Sequence, residues 1–170
     1  MNPSLRYVTR TAVLLAIALI FQYVKLPPPF GQILTGSVVN ALLIIAVAYV
    51  GITSGITIGL FTPILAFVLG VMGFPFLIPV IIVANIILII VFYYARRFNN
   101  YIAVILAAVF KFLVFYSSIN FILASRITSL PAKAAKAIAL SFGPLQLATA
   151  LIGGLIAAFI ISKYNLNNEQ

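Results

Sequence analysis

Residues 80–94 read VIIVANIILIIVFYY, an apolar run broken by a single polar side chain, Asn85. A half-buried strand alternates apolar and polar residues, and so does each strand of a transmembrane barrel. This run does not alternate, and neither does ALLIIAVAYV at 41–50. Inside a bilayer every backbone N–H and C=O needs a partner within the protein, which leaves helices or a closed barrel. The continuous runs decide for helices.

Composition extends that reading to the whole chain. Of 170 residues, 65% are hydrophobic and 6% charged, against about 25% charged in a soluble domain. A chain of this length keeps a large surface, so most of that surface faces lipid. The fold class is all-α: a polytopic integral membrane bundle, one domain over residues 1–170, without fixed-period repeats or low-complexity segments.

Six apolar stretches follow one another. The first covers 7–24 and stops at Lys25 and the prolines Pro27, Pro28 and Pro29, which lack an amide donor and bar the preceding residue from helix. The second covers 36–50. The third covers 51–70, and Pro63 is expected to kink or break it. A Gly/Pro loop at 71–75 leads to the fourth, 76–95, closed by Arg96 and Arg97. The fifth covers 101–123. After the longest polar connection, 124–136, the sixth covers 137–163. Each is close to the ~20 residues needed to cross a bilayer. Six transmembrane helices leave both termini on one side. Arg6, Arg10, Arg96, Arg97 and Lys163 fall on the terminal side, and Lys25, Arg126, Lys133 and Lys136 on the other. This bias, with Arg6 and Arg10 beside the first helix, makes both termini cytoplasmic.

What is missing restricts function. There is no Cys and no His, and the only acid is Glu169. Disulfides and thiol or imidazole metal sites are excluded. No buried acid is present for proton coupling, and an acid/base enzyme lacks its parts. The net charge of +9 is scattered over helix ends without a basic run, which argues for lipid headgroups and against nucleic acid. No GxxxxGK[ST] loop occurs, so the chain does not burn ATP itself, and no cofactor is expected. A transporter built this way is passive or is energised by a partner.

The polar residues inside apolar stretches are the candidate site. Lys111 lies about 16 Å into the fifth helix at ~1.5 Å per residue, near the middle of a ~30 Å core. An ammonium there costs several kcal/mol unless hydrated or paired, and no carboxylate is available. It faces water, carbonyls or an anionic ligand, or loses its proton, since snorkelling covers only part of the distance. Asn85, Gln146 and Asn40 supply amides from the fourth, sixth and second helices. Tyr116 and Ser118 extend the fifth helix from Lys111, with Ser118 at i+7 on its face. Together these six residues describe a pocket for a small polar or anionic molecule. A Ser–Lys catalytic pair of Lys111 with Ser117 or Ser118 fails on geometry, because two helical turns rise ~10 Å. The segment 27–35, with Phe30, Gly31 and Gln32 behind three prolines, reads as a lid loop. Gly51, Gly55 and Gly59 form a GxxxGxxxG stripe, Ala12 and Ala16 an AxxxA pair, and Ala150, Gly153 and Gly154 a small patch. All suit close helix packing.

These residues carry a family resemblance. The strings are TGSVVN (35–40), TPILAFVLG (62–70), VFKFLVFY (109–116) and QLATALIGG (146–154), with Asn85, Ala12 and Ala16. With six apolar stretches, the chain resembles the substrate-binding S components of energy-coupling factor (ECF) transporters, prokaryotic vitamin importers of the plasma membrane. The resemblance implies capture of a vitamin-like substrate from outside, beneath the loop between helices one and two. It also implies a transmembrane coupling subunit and two ATPase subunits, which use the ATP, and toppling of the S component to release substrate inside. The alanine motif, here Ala12 and Ala16, is implied to dock the coupling subunit. The alternative is a stand-alone passive channel or facilitator. No acid is present to meet a cationic substrate, and no His, Cys or Asp to hold cobalt or nickel. A neutral or anionic vitamin or related metabolite fits Lys111 and the amides, and aromatic rings are available to stack on it.

Overall fold

The computed structural model describes residues 2–24, 27, 30–124 and 132–168, with backbone alone for 132–134 and 165–168. Those residues are helical apart from short turns. The helices are α1 (Pro3–Tyr23), α2 (Phe30–Tyr49), α3 (Ile52–Val68), α4 (Ile78–Ala95), α5 (Asn100–Ala124), α6 (Ala132–Phe142) and α7 (Pro144–Asn168). A single 3-10 turn, Pro75–Leu77, precedes α4. Prolines stand at the starts of α1, this turn, α4 and α7. There the missing N–H costs nothing and the fixed φ suits the first helical turn.

Five helical spans are long and apolar enough to cross a bilayer. The apolar α3 has 17 residues, about 26 Å of helix at ~1.5 Å per residue, nearly the ~30 Å of a hydrocarbon core. The six long helices close into a ring in the order α1, α2, α7, α5, α4, α3, and α2 also packs on α3 and α4. The outside is apolar: Val83, Ile105, Phe110, Leu113, Leu155 and Phe159 are all exposed. Such a surface suits lipid and not water. The chain is a helical membrane bundle.

The half of the bundle nearer the termini is filled. Leu43, Ile44 and Val47 of α2 meet Leu88, Ile89 and Phe92 of α4 and Val104 of α5. Small residues set the helix spacing. Ala103 and Ala107 of α5 and Ala157 and Ala158 of α7 are fully buried. At Gly153 an added Cβ would collide with the backbone oxygen of Ser37, so α2 and α7 approach main chain to main chain. Gly51 serves differently. It caps α3 at φ 128° with open space around its missing Cβ, a turn conformation that favours glycine. The Gly51, Gly55, Gly59 stripe therefore packs through its last two members.

Three boundaries differ from the sequence reading. The second helix begins at Phe30, six residues before 36, so Phe30, Gly31 and Gln32 form its first turn and not a lid loop. The amide of Gly31 already donates to Pro27 O at 3.2 Å. Pro63 does not break α3, which stays helical on both sides of it. The sixth stretch is two helices, α6 and α7, parted at Gly143. Ile138 of α6 is buried against Leu77 and Ile119, so part of the expected polar connection is an amphipathic helix lying on the bundle. Lys25, Pro28, Pro29, Arg126 and Glu169, and the side chain of Lys133, lie outside the described residues.

Gly153→Val should destabilise the bundle by about 1–3 kcal/mol, the ordinary cost of overpacking. Thermal unfolding in detergent checks this, and an unchanged midpoint would refute the close approach of α2 and α7.

Candidate substrate-binding site

The other half of the bundle, where α1 and α3 end and α2, α4 and α7 begin, encloses a cavity of about 400 Å³. That is within the range of small-molecule sites. Its floor is polar and its walls mostly apolar.

Lys111 occupies the floor, 3% exposed. Its Nζ donates to Asn40 Oδ1 at 2.6 Å and to Asn85 Oδ1 at 2.8 Å. A lysine ammonium only donates, so each asparagine turns its oxygen to it and its amide nitrogen away. Asn40 Nδ2 then reaches Thr149 Oγ1 at 3.5 Å, the far limit of a hydrogen bond. Asn85 Nδ2 donates to the backbone oxygen of Gly59 at 3.1 Å.

That last contact follows from the covalent structure of α3. In a helix the oxygen of residue 59 accepts from the N–H of residue 63. Residue 63 is proline and has no N–H. Its presence orphans the Gly59 oxygen, and an unpaired buried carbonyl costs free energy. Asn85 supplies the missing donor from α4. Pro63 and Asn85 are thus one device, and with Lys111, Asn40 and Thr149 they form a polar chain across α3, α4, α5, α2 and α7.

The walls carry Phe115, 1% exposed, whose ring centroid lies 5.5 Å from that of Phe142. Lys111 Nζ sits 5.9 Å from the Phe115 centroid, within cation–π range. Nearer the mouth stand three glutamines, Gln22, Gln32 and Gln146. Among the described residues Gln22 Oε1 is buried with no hydrogen-bond partner.

Of the residues expected here, Lys111, Asn85, Asn40 and Gln146 all line this cavity. Tyr116 and Ser118 do not. Tyr116 is 58% exposed on the outer face of α5, because one step past Phe115 rotates a side chain by about 100°. Ser118 shares the angular face of Lys111 but lies two turns along, and it lines a separate pocket with Val80 and Phe121. Ser117 Oγ donates within its own helix, to Leu113 O at 2.8 Å, so no Ser–Lys pair forms. Ala12 and Ala16 are exposed on the outer side of α1, while Thr11 on its inner side shares a buried 2.8 Å hydrogen bond with Ser54 of α3. The sequence reading missed Thr62, Thr149, Gln22, Phe115 and Phe142 as lining residues. The Thr62–Pro63 pair was the available signal, since a proline inside a helix orphans a carbonyl that something must satisfy.

The chain is thus a membrane bundle with a polar-floored cavity that opens at one end. The sequence model of one family, the ECF transporter substrate-specific component, matches residues 6–163, and the chain belongs to this family. Comparison with curated proteins and with solved structures gives no match.

A double-mutant cycle tests the Pro63–Asn85 device. Asn85→Leu should cost about 1–3 kcal/mol by unpairing Gly59 O and removing an acceptor from Lys111. In a Pro63→Ala background the new N–H serves Gly59 O, and the cost should fall by about 1 kcal/mol. Additive effects on unfolding would refute the device.

Proposed function

We propose that the protein is the substrate-capture subunit of an ECF-type ABC importer in a prokaryotic plasma membrane, and that it takes up a small water-soluble vitamin or related metabolite, neutral or anionic. The observation that carries this reading is the cavity with Lys111, Asn85 and Asn40 on its floor. With both termini cytoplasmic, as the basic residues favour, the cavity faces outward. Side chains such as Leu43, Ile89, Phe92 and Val104 fill the inner half among the described residues. That supports a closed binding subunit over a passive pore. A transmembrane coupling subunit and ATPase subunits supply the energy, and the exposed pair Ala12 and Ala16 forms the flat patch on which coupling helices pack.

Native mass spectrometry of the gently purified protein should show a bound small molecule. An empty protein that binds no vitamin would refute capture. Lys111→Ala should weaken binding at least ~tenfold, or ~1.4 kcal/mol, with the fold retained; unchanged affinity removes Lys111 from the site. Ala16→Trp should leave binding intact and abolish uptake by vesicles carrying the complete transporter. Normal uptake there refutes docking through α1.

A further inference from the structure

The hydrogen-bond pattern of the cavity floor goes beyond its residue types. An ammonium has three donors and each amide nitrogen two. Lys111 uses two on the asparagine oxygens. Asn85 uses one on Gly59 O and Asn40 one on Thr149 Oγ1. Each of the three groups therefore keeps one N–H. Both asparagine oxygens are engaged by Lys111. The Thr62 hydroxyl donates to Ile58 O, and the Thr149 hydroxyl to Gln146 O. The floor offers three free N–H groups around one basic side chain, with one lone pair left on each asparagine oxygen, and the sequence places its only acid at Glu169.

We propose that the cavity binds an amphiphilic monocarboxylate, with the carboxylate on Lys111 and the apolar body against Phe115 and Phe142. This rests on the reading of the cavity as the capture site. A carboxylate is acceptor-only with about four lone-pair positions, which matches the free donors of Lys111, Asn85 and Asn40. Its single charge balances one ammonium. A phosphomonoester carries about −1.5 to −2 and overshoots, while a neutral ligand leaves the buried ammonium uncompensated. The Phe115–Phe142 pair offers an apolar wall next to the floor, suited to a ring or alkyl segment. At the mouth the amides of Gln22, Gln32 and Gln146 both donate and accept, so the far end of the ligand is polar and uncharged.

The test exposes the purified wild-type protein to a protein-free mixture of small metabolites, once untreated and once after methyl esterification of its carboxyl groups. Native mass spectrometry identifies what is bound. The expected species carries one carboxylate, and esterification abolishes its retention. Lys111→Gln, which keeps an amide donor and loses the charge, should lower retention at least ~tenfold. A bound species without a carboxylate, with two of them, or retained equally after esterification overturns the assignment while the capture reading stands. Undiminished retention by Lys111→Gln overturns it as well. If nothing is retained from the untreated mixture, the assignment and the capture reading both fall. The esterification comparison needs no variant, so it decides even where Lys111→Gln fails to fold.

Discussion

Lys111 Nζ donates to two amide oxygens 2.6 and 2.8 Å away, and the arrangement around it follows from the absence of any acid to meet it. A buried ammonium facing a carboxylate would be a neutral pair, internally satisfied and indifferent to ligands. Among the described residues the charge is met by two amide dipoles and the Phe115 ring. Dipoles reduce the cost of burial without cancelling the charge. Because the lysine can only donate, it fixes the orientation of Asn40 and Asn85, and through them the partners on α7 and α3. One side chain on α5 thereby sets the polar geometry of four neighbouring helices.

The scaffold that holds this cluster is stabilised differently from a soluble core. Lipid tails are as apolar as leucine, so burying leucine between helices gains little, and close packing and interhelical hydrogen bonds take over. Both are concentrated where the structure needs them. Ala103, Ala107, Ala157 and Ala158 let α5 and α7 close up in the inner half, and Gly153 brings α7 onto Ser37 of α2. Arg96 donates to Val47 O at 3.2 Å, covering a carbonyl in the last turn of α2. In the outer half Phe115, Phe142, Met72 and Ile81 stand beside small residues such as Gly36 and Ala66, and the helices part to form the cavity.

The elements legible in the sequence were those with strong contrast. An amide or ammonium inside an apolar run stands out, and Asn40, Asn85, Lys111 and Gln146 do meet at one cavity. The helices were legible from unbroken hydropathy. Height along a helix was less legible than angle: Ser118 matches the face of Lys111 and misses the cavity by two turns. Residue types that blend into a membrane helix were invisible. Phe115 and Phe142 are two of 14 phenylalanines, and threonines such as Thr62 normally bond their own helix. Residues 137–142 of α6 merge into the hydropathy of α7, so only Gly143 and Pro144 announced a separate helix. The prolines at 27–29 carried two meanings, loop stiffener or helix start, and local sequence does not choose between them.

The Gly59 contact also bears on how rigid the floor is before a ligand arrives. If Asn85 turned away to greet a solute, it would strip the Gly59 oxygen of its donor, at a cost of about 1–3 kcal/mol. The same rotation would withdraw an acceptor from Lys111. The amide therefore keeps its place with one N–H to spare, so the floor geometry exists in advance and little ordering would be left to occur on binding. The proposed docking face is decoupled from this constraint. Ala12 and Ala16 sit on the outside of α1, which is buried only at Thr11 and Ala18. That helix reaches the cavity near its end, through Gln22 and Val24. Between the outer face of α1 and Lys111 stand α2 and α3, and the cluster holds both on the cavity side, through Asn40 on α2 and through Asn85 bonded to Gly59 O of α3. The bundle can thus present a partner with one surface while holding its solute site fixed with another.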